Sequence, residues 1–351
     1  MTRVRWVSSA DLAGAGSQAE PVLNFGHWPG VRRAALALYF VGFLVWSYNY
    51  GIPVQRELVI AWVCGALACA CLGRHPREML QLVIDWAPMV IVLGAYDLTR
   101  GVADKLGIGV HFHPMIDFDK AVFFGQTPTE WLQHHLYDPS RVTGWNVFFT
   151  LTYTSYFITP FALAGWLWAR DRAAYLRFAK RLVSLAIAGV VTYILFPAAP
   201  PWLAADEGLL HEVTRTTSEG WKIIGVGTSI LFSEGQASVN LVAAVPSLHS
   251  AFTMLVALFL WDRVPWRRAR PLLLLYPAAM AVTLMATGEH YFFDVLAGWL
   301  YAGAAMVAWS AWERRRAGRA GDAERSTAAD PRVPSAGPAE DAGAPEPAQI
   351  A

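Results

Sequence analysis

Eight continuous apolar runs constrain this chain more than any other feature, at about residues 34–50, 57–73, 79–98, 145–169, 182–198, 247–262, 271–287 and 291–312. A helix needs roughly 17–25 residues to cross about 30 Å of hydrocarbon. Most runs reach that length. Those at 57–73, 182–198 and 247–262 are at the short end, which suits upright helices or a functional end below the membrane surface. Lipid cannot satisfy backbone N–H and C=O groups, so only helices or closed barrels cross it. The runs do not alternate, which excludes a barrel. The expected fold is all-α: a polytopic transmembrane helical bundle of about eight spans. Composition agrees, with 55% hydrophobic and 16% charged residues against about 25% charged in a soluble domain. It excludes a disordered regulator, a basic nucleic-acid binder and an ordinary cytosolic enzyme. The 16 Trp, 18 Phe and 12 Tyr suit a protein with two membrane interfaces.

Four regions follow. Residues 1–30 are polar and lack the apolar core of a signal peptide. Residues 31–144 hold the first spans and a polar loop, about 99–144, and residues 145–316 hold the remaining spans and a second loop, about 199–246. Residues 317–351 are rich in Ala, Gly, Pro and acids and are expected to be disordered. In the first loop, Thr127-Pro128 reads as a helix cap with Pro just inside. Trp131, Leu132 and Leu136 make that short helix amphipathic, suited to the membrane surface. Cys64, Cys69 and Cys71 share one apolar stretch and read as packing residues.

Charge orients the bundle, because Lys and Arg in short loops mark the cytoplasmic side. Threading eight spans puts 19 of the 28 basic residues on one side, from Arg3 through Arg172 and Arg263 to Arg319. Seven lie on the other: Arg56, Arg100, Lys105, Lys120, Arg141, Arg215 and Lys222. Both termini are expected to be cytoplasmic and both long loops extracytoplasmic. The 24 Arg against four Lys suggest a GC-rich bacterial genome, hence a plasma (inner) membrane.

Two histidines fall at the extracytoplasmic end, although only Lys and Arg were used to orient the chain. His249 lies in Pro246-Ser247-Leu248-His249-Ser250 at the start of span six, and His290 lies in His290-Tyr291-Phe292-Phe293-Asp294 at the start of span eight. Residues i and i+4 share a helix face, so Asp294 can reach His290. A carboxylate on one ring nitrogen fixes the tautomer and leaves the other free as a nucleophile. His249 could then protonate a leaving oxygen. Ser247 and the N–H groups opening span six offer donors to an anion. Each element alone is weak, since a His-x-x-x-Asp pair is more often structural than catalytic. Together, on one membrane face, they point to phosphoryl transfer through a phosphohistidine, with no metal or cofactor.

These two motifs resemble the second and third motifs of the type 2 phosphatidic acid phosphatase superfamily. With Phe196-Pro197-Ala198-Ala199-Pro200-Pro201-Trp202, they resemble the branch related to inositol phosphorylceramide synthase. The resemblance covers roughly residues 145–312 and implies a six-helix core preceded by about two further spans. It implies His290 as nucleophile, Asp294 as its orienting group and His249 as general acid. The phosphatase branch also has a first motif with Lys and Arg-Pro, absent here, and a Ser-Arg where this chain has Thr283 and Leu284. Phosphate charge must then be met from elsewhere. The candidates are Arg215 and Lys222, then Lys120, Arg141 and Arg100, with Ser247 and Ser250 as donors and Trp202 as an interfacial anchor or a wall of the headgroup pocket.

The expected activity is a metal-independent lipid phosphotransferase or phosphatase, its partners a lipid substrate and the bilayer, with no nucleic acid. Transfer of inositol phosphate and a diester substrate are favoured by the branch and by the missing Arg motifs. The alternatives are a phosphatase releasing inorganic phosphate and a non-catalytic lipid transporter. Against the transporter, no inverted repeat is visible and the polar groups gather at one face, not the midplane. His111, His113, His134 and His135 lack partners at metal-ligand spacing. Asp85, inside span three, reads as an acid paired within the bundle.

Overall fold

The computed structural model describes residues 29–50, 53, 56–73, 76–98, 108–211, 213–224 and 240–328. The helices are α1 (Pro29–Tyr50), α2 (Arg56–Ala70), α3 (Pro76–Leu98), α4 (His113–Val122), α5 (Pro128–Leu136), α6 (Gly144–Arg170) and α7 (Arg172–Leu195). After them come α8 (Pro201–Asp206), α9 (Trp221–Ile224), α10 (Leu248–Trp261), a 3-10 segment (Arg267–Leu274), α11 (Leu275–Ala286) and α12 (Phe292–Ala328). Every apolar run is helical. Among the described residues five helices are long and apolar enough to cross a membrane: Gly30–Tyr50, Gly144–Arg170, Arg172–Leu195, Arg267–Ala286 and Phe292–Arg319. Ile60–Ala70 and Leu248–Trp261 are shorter apolar helices. Among the described residues there is no strand, only isolated bridges joining His111 to Ala198 and Ala198 to Ala243. The chain is an all-α, polytopic integral membrane bundle.

Two compact units divide the chain, Met1–Met306 and Val307–Ala351. In the first, α6 packs against α2, α7, α10 and α11, and α7 packs against α3 and α10. Trp168, Tyr175, Phe178, Leu185, Leu255, Met280, Leu284 and Val295 form the buried core. Outward on α1 stand Leu38, Phe40, Val41, Leu44 and Val45. Such a continuous apolar face suits lipid, not water. In the second unit the described residues are helical, with Trp309 edge-on to Trp312 and Arg316 above the Trp312 ring.

The structure departs from the sequence expectations in three places. Residues 172–181, counted as a basic loop, are the first turns of α7. Arg, Ala, Leu and Lys are strong helix formers, and the Asp171 side chain caps the helix by accepting from the Ala174 N–H. Span five is therefore a full-length helix of 24 residues. The tail expected to be disordered from residue 317 stays helical to Ala328, because its Ala, Arg and Glu carry no Pro before Pro331. The rest of that tail, residues 1–28 and the side chain of Arg100 lie outside the described residues. The loop over 99–144 also contains an unforeseen helix, α4. The short helix capped by Thr127 forms as expected, with a reciprocal capping box between Thr127 and Glu130.

Asp85 is paired within the bundle. Its carboxylate accepts from Arg172 Nε and Nη2 at 2.8 and 2.7 Å, Trp168 Nε1 at 2.9 Å and Gln81 Nε2 at 2.8 Å. Tyr175 donates to its main-chain oxygen at 2.7 Å. This cluster ties α3 to α6 and α7. Replacing Asp85 with Leu leaves three donors without their acceptor. Because Arg172 is one-third exposed, the cost is expected to be about 2–4 kcal/mol rather than the full value for a sealed pair. Adding Arg172→Met should recover most of it, read as melting temperature in detergent.

Candidate active site

The local sequence explains how His290 is delivered. Helix α11 ends at Ala286 with Thr287 as its C-cap, and Gly288 follows at φ +74°. A left-handed residue just past a helix is the usual place for Gly. The turn is closed by Glu289 N–H and His290 N–H donating to Leu284 O at 3.0 and 3.2 Å. Glu289 and His290 thus emerge side by side, immediately before α12. The His290 Nδ1 lies 3.2 Å from Asp294 Oδ2, which also accepts the Tyr291 N–H at 3.0 Å. Asp294 is fully buried and His290 nearly so. With its proton on Nδ1, His290 keeps Nε2 as a lone-pair nitrogen.

Helix α10 brings the second histidine. Ser247 caps it, accepting from Ser250 N–H, while Ser247 N–H donates to Asp294 O at 3.0 Å. Ser250 Oγ reaches Val295 O at 3.1 Å. The two helix starts can approach this closely because residue 298 is Gly: a Cβ there would strike Ser247 O and the Ser250 side chain. The His249 and His290 rings then lie 5.5 Å apart, centre to centre, with Tyr153 and Tyr156 against His249 at 4.7 and 4.1 Å. Ser247 and Ser250 are fully buried and are used in joining the helices.

Both histidines open on a cavity of about 80 Å³, also lined by Tyr153, Tyr193, Trp202, Arg215, Asn240 and Glu289. Room of that size takes a few waters or one small oxyanion. Arg215 is therefore at the site, as is Trp202, whose ring lies 5.1 Å below the guanidinium. The other cations are elsewhere. Lys222 pairs with Glu219 and Arg141 with Asp138, both largely exposed, and Lys120 lies on α4. None of the three lines the cavity. Among the described residues no cluster of His, Cys, Asp or Glu could hold a metal ion.

Two residues of this region carry no signal in the sequence pattern. Glu289 binds Arg215 through both oxygens, at 2.7 and 3.1 Å, and accepts from Thr217 Oγ1 at 3.0 Å. Burial works against the Arg215 charge, but Glu289 together with Tyr153 outweighs it, and the guanidinium is held above its ordinary range. Asp119, on α4, accepts the N–H groups of Phe292 and Phe293 at 2.9 and 3.0 Å. It caps α12 from across the fold. Burial pushes its carboxyl up to about 7, against the pull of the two amides and with help from nearby Asp294.

The phosphoinositol dihydroceramide synthase of Bacteroides thetaiotaomicron is 27% identical over 296 residues, 75% of this chain and 93% of that protein. The inositol phosphorylceramide synthase catalytic subunit AUR1 of Saccharomyces cerevisiae is 31% identical over 117 residues, 31% of this chain and 28% of that protein. No solved structure matches the chain. The family model of the PAP2 superfamily matches residues 113–308, a stretch that begins at α4 and contains Asp119, both histidines, Asp294 and the Arg215–Glu289 pair. The chain belongs to the PAP2 superfamily and is similar to its inositol phosphorylceramide synthase-like branch.

Proposed function

We propose that the protein transfers a phospho-headgroup from one lipid to another through a phosphohistidine on His290, at the extracytoplasmic face of the plasma membrane. The observation that carries this reading is the pair of histidines 5.5 Å apart in one cavity, with His290 backed by buried Asp294. Nε2 of His290 attacks phosphorus, forming the P–N bond as the P–O bond to the donor lipid breaks. His249 gives its proton to the leaving oxygen. A hydroxyl of the acceptor lipid then attacks, His249 takes its proton, and the P–N bond breaks. Arg215 offers hydrogen bonds to the phosphoryl oxygens. The chemistry needs no metal. The names of the two relatives favour phosphatidylinositol as donor and a ceramide-type alcohol as acceptor.

The test is incubation of purified protein with headgroup-labelled phosphatidylinositol, with and without acceptor lipid and chelator. A labelled new phospholipid that forms with chelator present is the expected result. Free inositol phosphate alone would make water the acceptor and the protein a phosphodiesterase. Free inorganic phosphate from a lipid phosphate would make it a phosphatase, and lipid flux without turnover a transporter. Chelator inhibition would overturn the metal-free step. A reporter inserted at Gly208 is expected to read extracytoplasmic, and a cytoplasmic signal would reverse the orientation.

A further inference from the structure

Glu289 is a buried carboxylate beside a site that must receive an anion, which calls for a reason. Its oxygens are held by Arg215 and Thr217, and Glu289 and Arg215 both line the cavity that holds His290. Among the described residues the lining contains no second Lys or Arg and no second carboxylate. With His249 carrying the proton that it gives to the leaving oxygen and His290 neutral, the described lining has a formal charge of +1. Such a site can hold a singly charged phosphoryl group with hydrogen bonds from Arg215. A second charge on that group would face Glu289 with nothing to balance it.

Resting on the reading of His290 as the nucleophile, we infer that Glu289 is a charge filter: by neutralising Arg215 it admits phosphodiester monoanions and turns away phosphomonoester and inorganic phosphate dianions. The filter favours a lipid diester donor over a lipid phosphate, and keeps free phosphate from blocking the site. Unit charges about 7 Å apart in a medium of effective dielectric ~20 repel by enough to change affinity roughly 50-fold. Glu289→Gln keeps an oxygen acceptor for Arg215 and removes the charge.

The experiment compares binding of inorganic phosphate at pH 8, where it is mainly a dianion, with binding of dimethyl phosphate, a monoanion at any working pH. The full chain in detergent is used, as wild type and as Glu289→Gln. Wild type is expected to bind dimethyl phosphate more tightly than phosphate. Glu289→Gln is expected to tighten phosphate at least about tenfold more than dimethyl phosphate, since the dianion loses twice the repulsion. Should the variant not fold, wild type alone decides. Its phosphate affinity, divided by that for dimethyl phosphate, must fall as pH rises through the second ionisation of phosphate. A ratio that stays constant with pH, or is unchanged in Glu289→Gln, overturns the filter while leaving the catalytic reading intact. Failure of wild type to bind either anion, together with full turnover by His290→Ala, removes both.

Discussion

Purified His290→Ala is expected to be inert, with turnover down by at least about 10⁴-fold, while its membrane insertion and melting temperature stay near wild type. The ring is reached from the cavity but nearly buried, and it hydrogen-bonds Asp294. Removing it takes away the attacking atom and few packing contacts. Asp294→Asn separates charge from geometry. Asp294 Oδ2 carries both hydrogen bonds, to His290 Nδ1 and Tyr291 N–H, whereas Oδ1 is buried with no hydrogen-bond partner. An Asn can set its oxygen at the first position and its amide at the second, so the ring stays oriented. What disappears is the negative charge that stabilises the imidazolium forming as His290 attacks. A loss of roughly 10²–10⁴-fold in kcat with little change in KM is expected. Label from a headgroup-labelled donor should stay on quenched wild-type protein and be absent from His290→Ala. Full activity in His290→Ala ends the phosphohistidine proposal, whatever the Asn variant does.

The histidines were legible because their signals are local. His290 and Asp294 lie four residues apart in one short stretch, although His290 stands just before α12 and not on it, and sorting of Lys and Arg sufficed to put His249 on the same side. Arg215 was legible as a cation between two motifs, ranked level with Lys222 and ahead of Arg141. Those two turn out to pair with an acid three residues away, a pattern equally open to a solvated loop. Glu289 was hidden because an acid beside a histidine reads as a loop charge until Arg215 is seen 74 positions away. Asp119 was hidden for the same reason at greater range: its partners are 173 and 174 positions along the chain. The misplaced start of α7 has a different cause. Counting Arg as loop charge overlooked that Arg is also a good helix former, and the run from Arg172 to Arg181 is both.

Asp119→Ala is expected to lower kcat by roughly 10–100-fold with KM nearly unchanged, the scale of a small misplacement of a reacting group. Asp119 does not line the cavity; it acts through α12. The helix start is held by two carboxylates, Asp294 on the Tyr291 N–H and Asp119 on the next two amides, while Phe118 and Phe123 pack edge-on against Phe293 and Phe292. Without Asp119 two part-buried amides lose their acceptor, and a lost cap costs about 0.5–2 kcal/mol. The stretch from His290 to Asp294, which leads into the first turn of α12, is where that cost is relieved by movement. Asp119→Asn offers one oxygen and sets an NH₂ against the other amide, so it should fall between wild type and Ala. The pH dependence distinguishes Asp119 from a merely structural contact. Its carboxyl is raised to about 7 in the fold, above the ordinary carboxylate range of an unfolded chain. Between those values the native state holds a proton that the unfolded state has lost, so this group's contribution to stability is full at low pH and declines as pH rises through about 7. Asn does not titrate. The melting-temperature deficit of Asp119→Asn relative to wild type should therefore be largest near pH 5 and shrink by pH 8, and a deficit that grows with pH would show that Asp119 is held charged by partners other than the amides of α12.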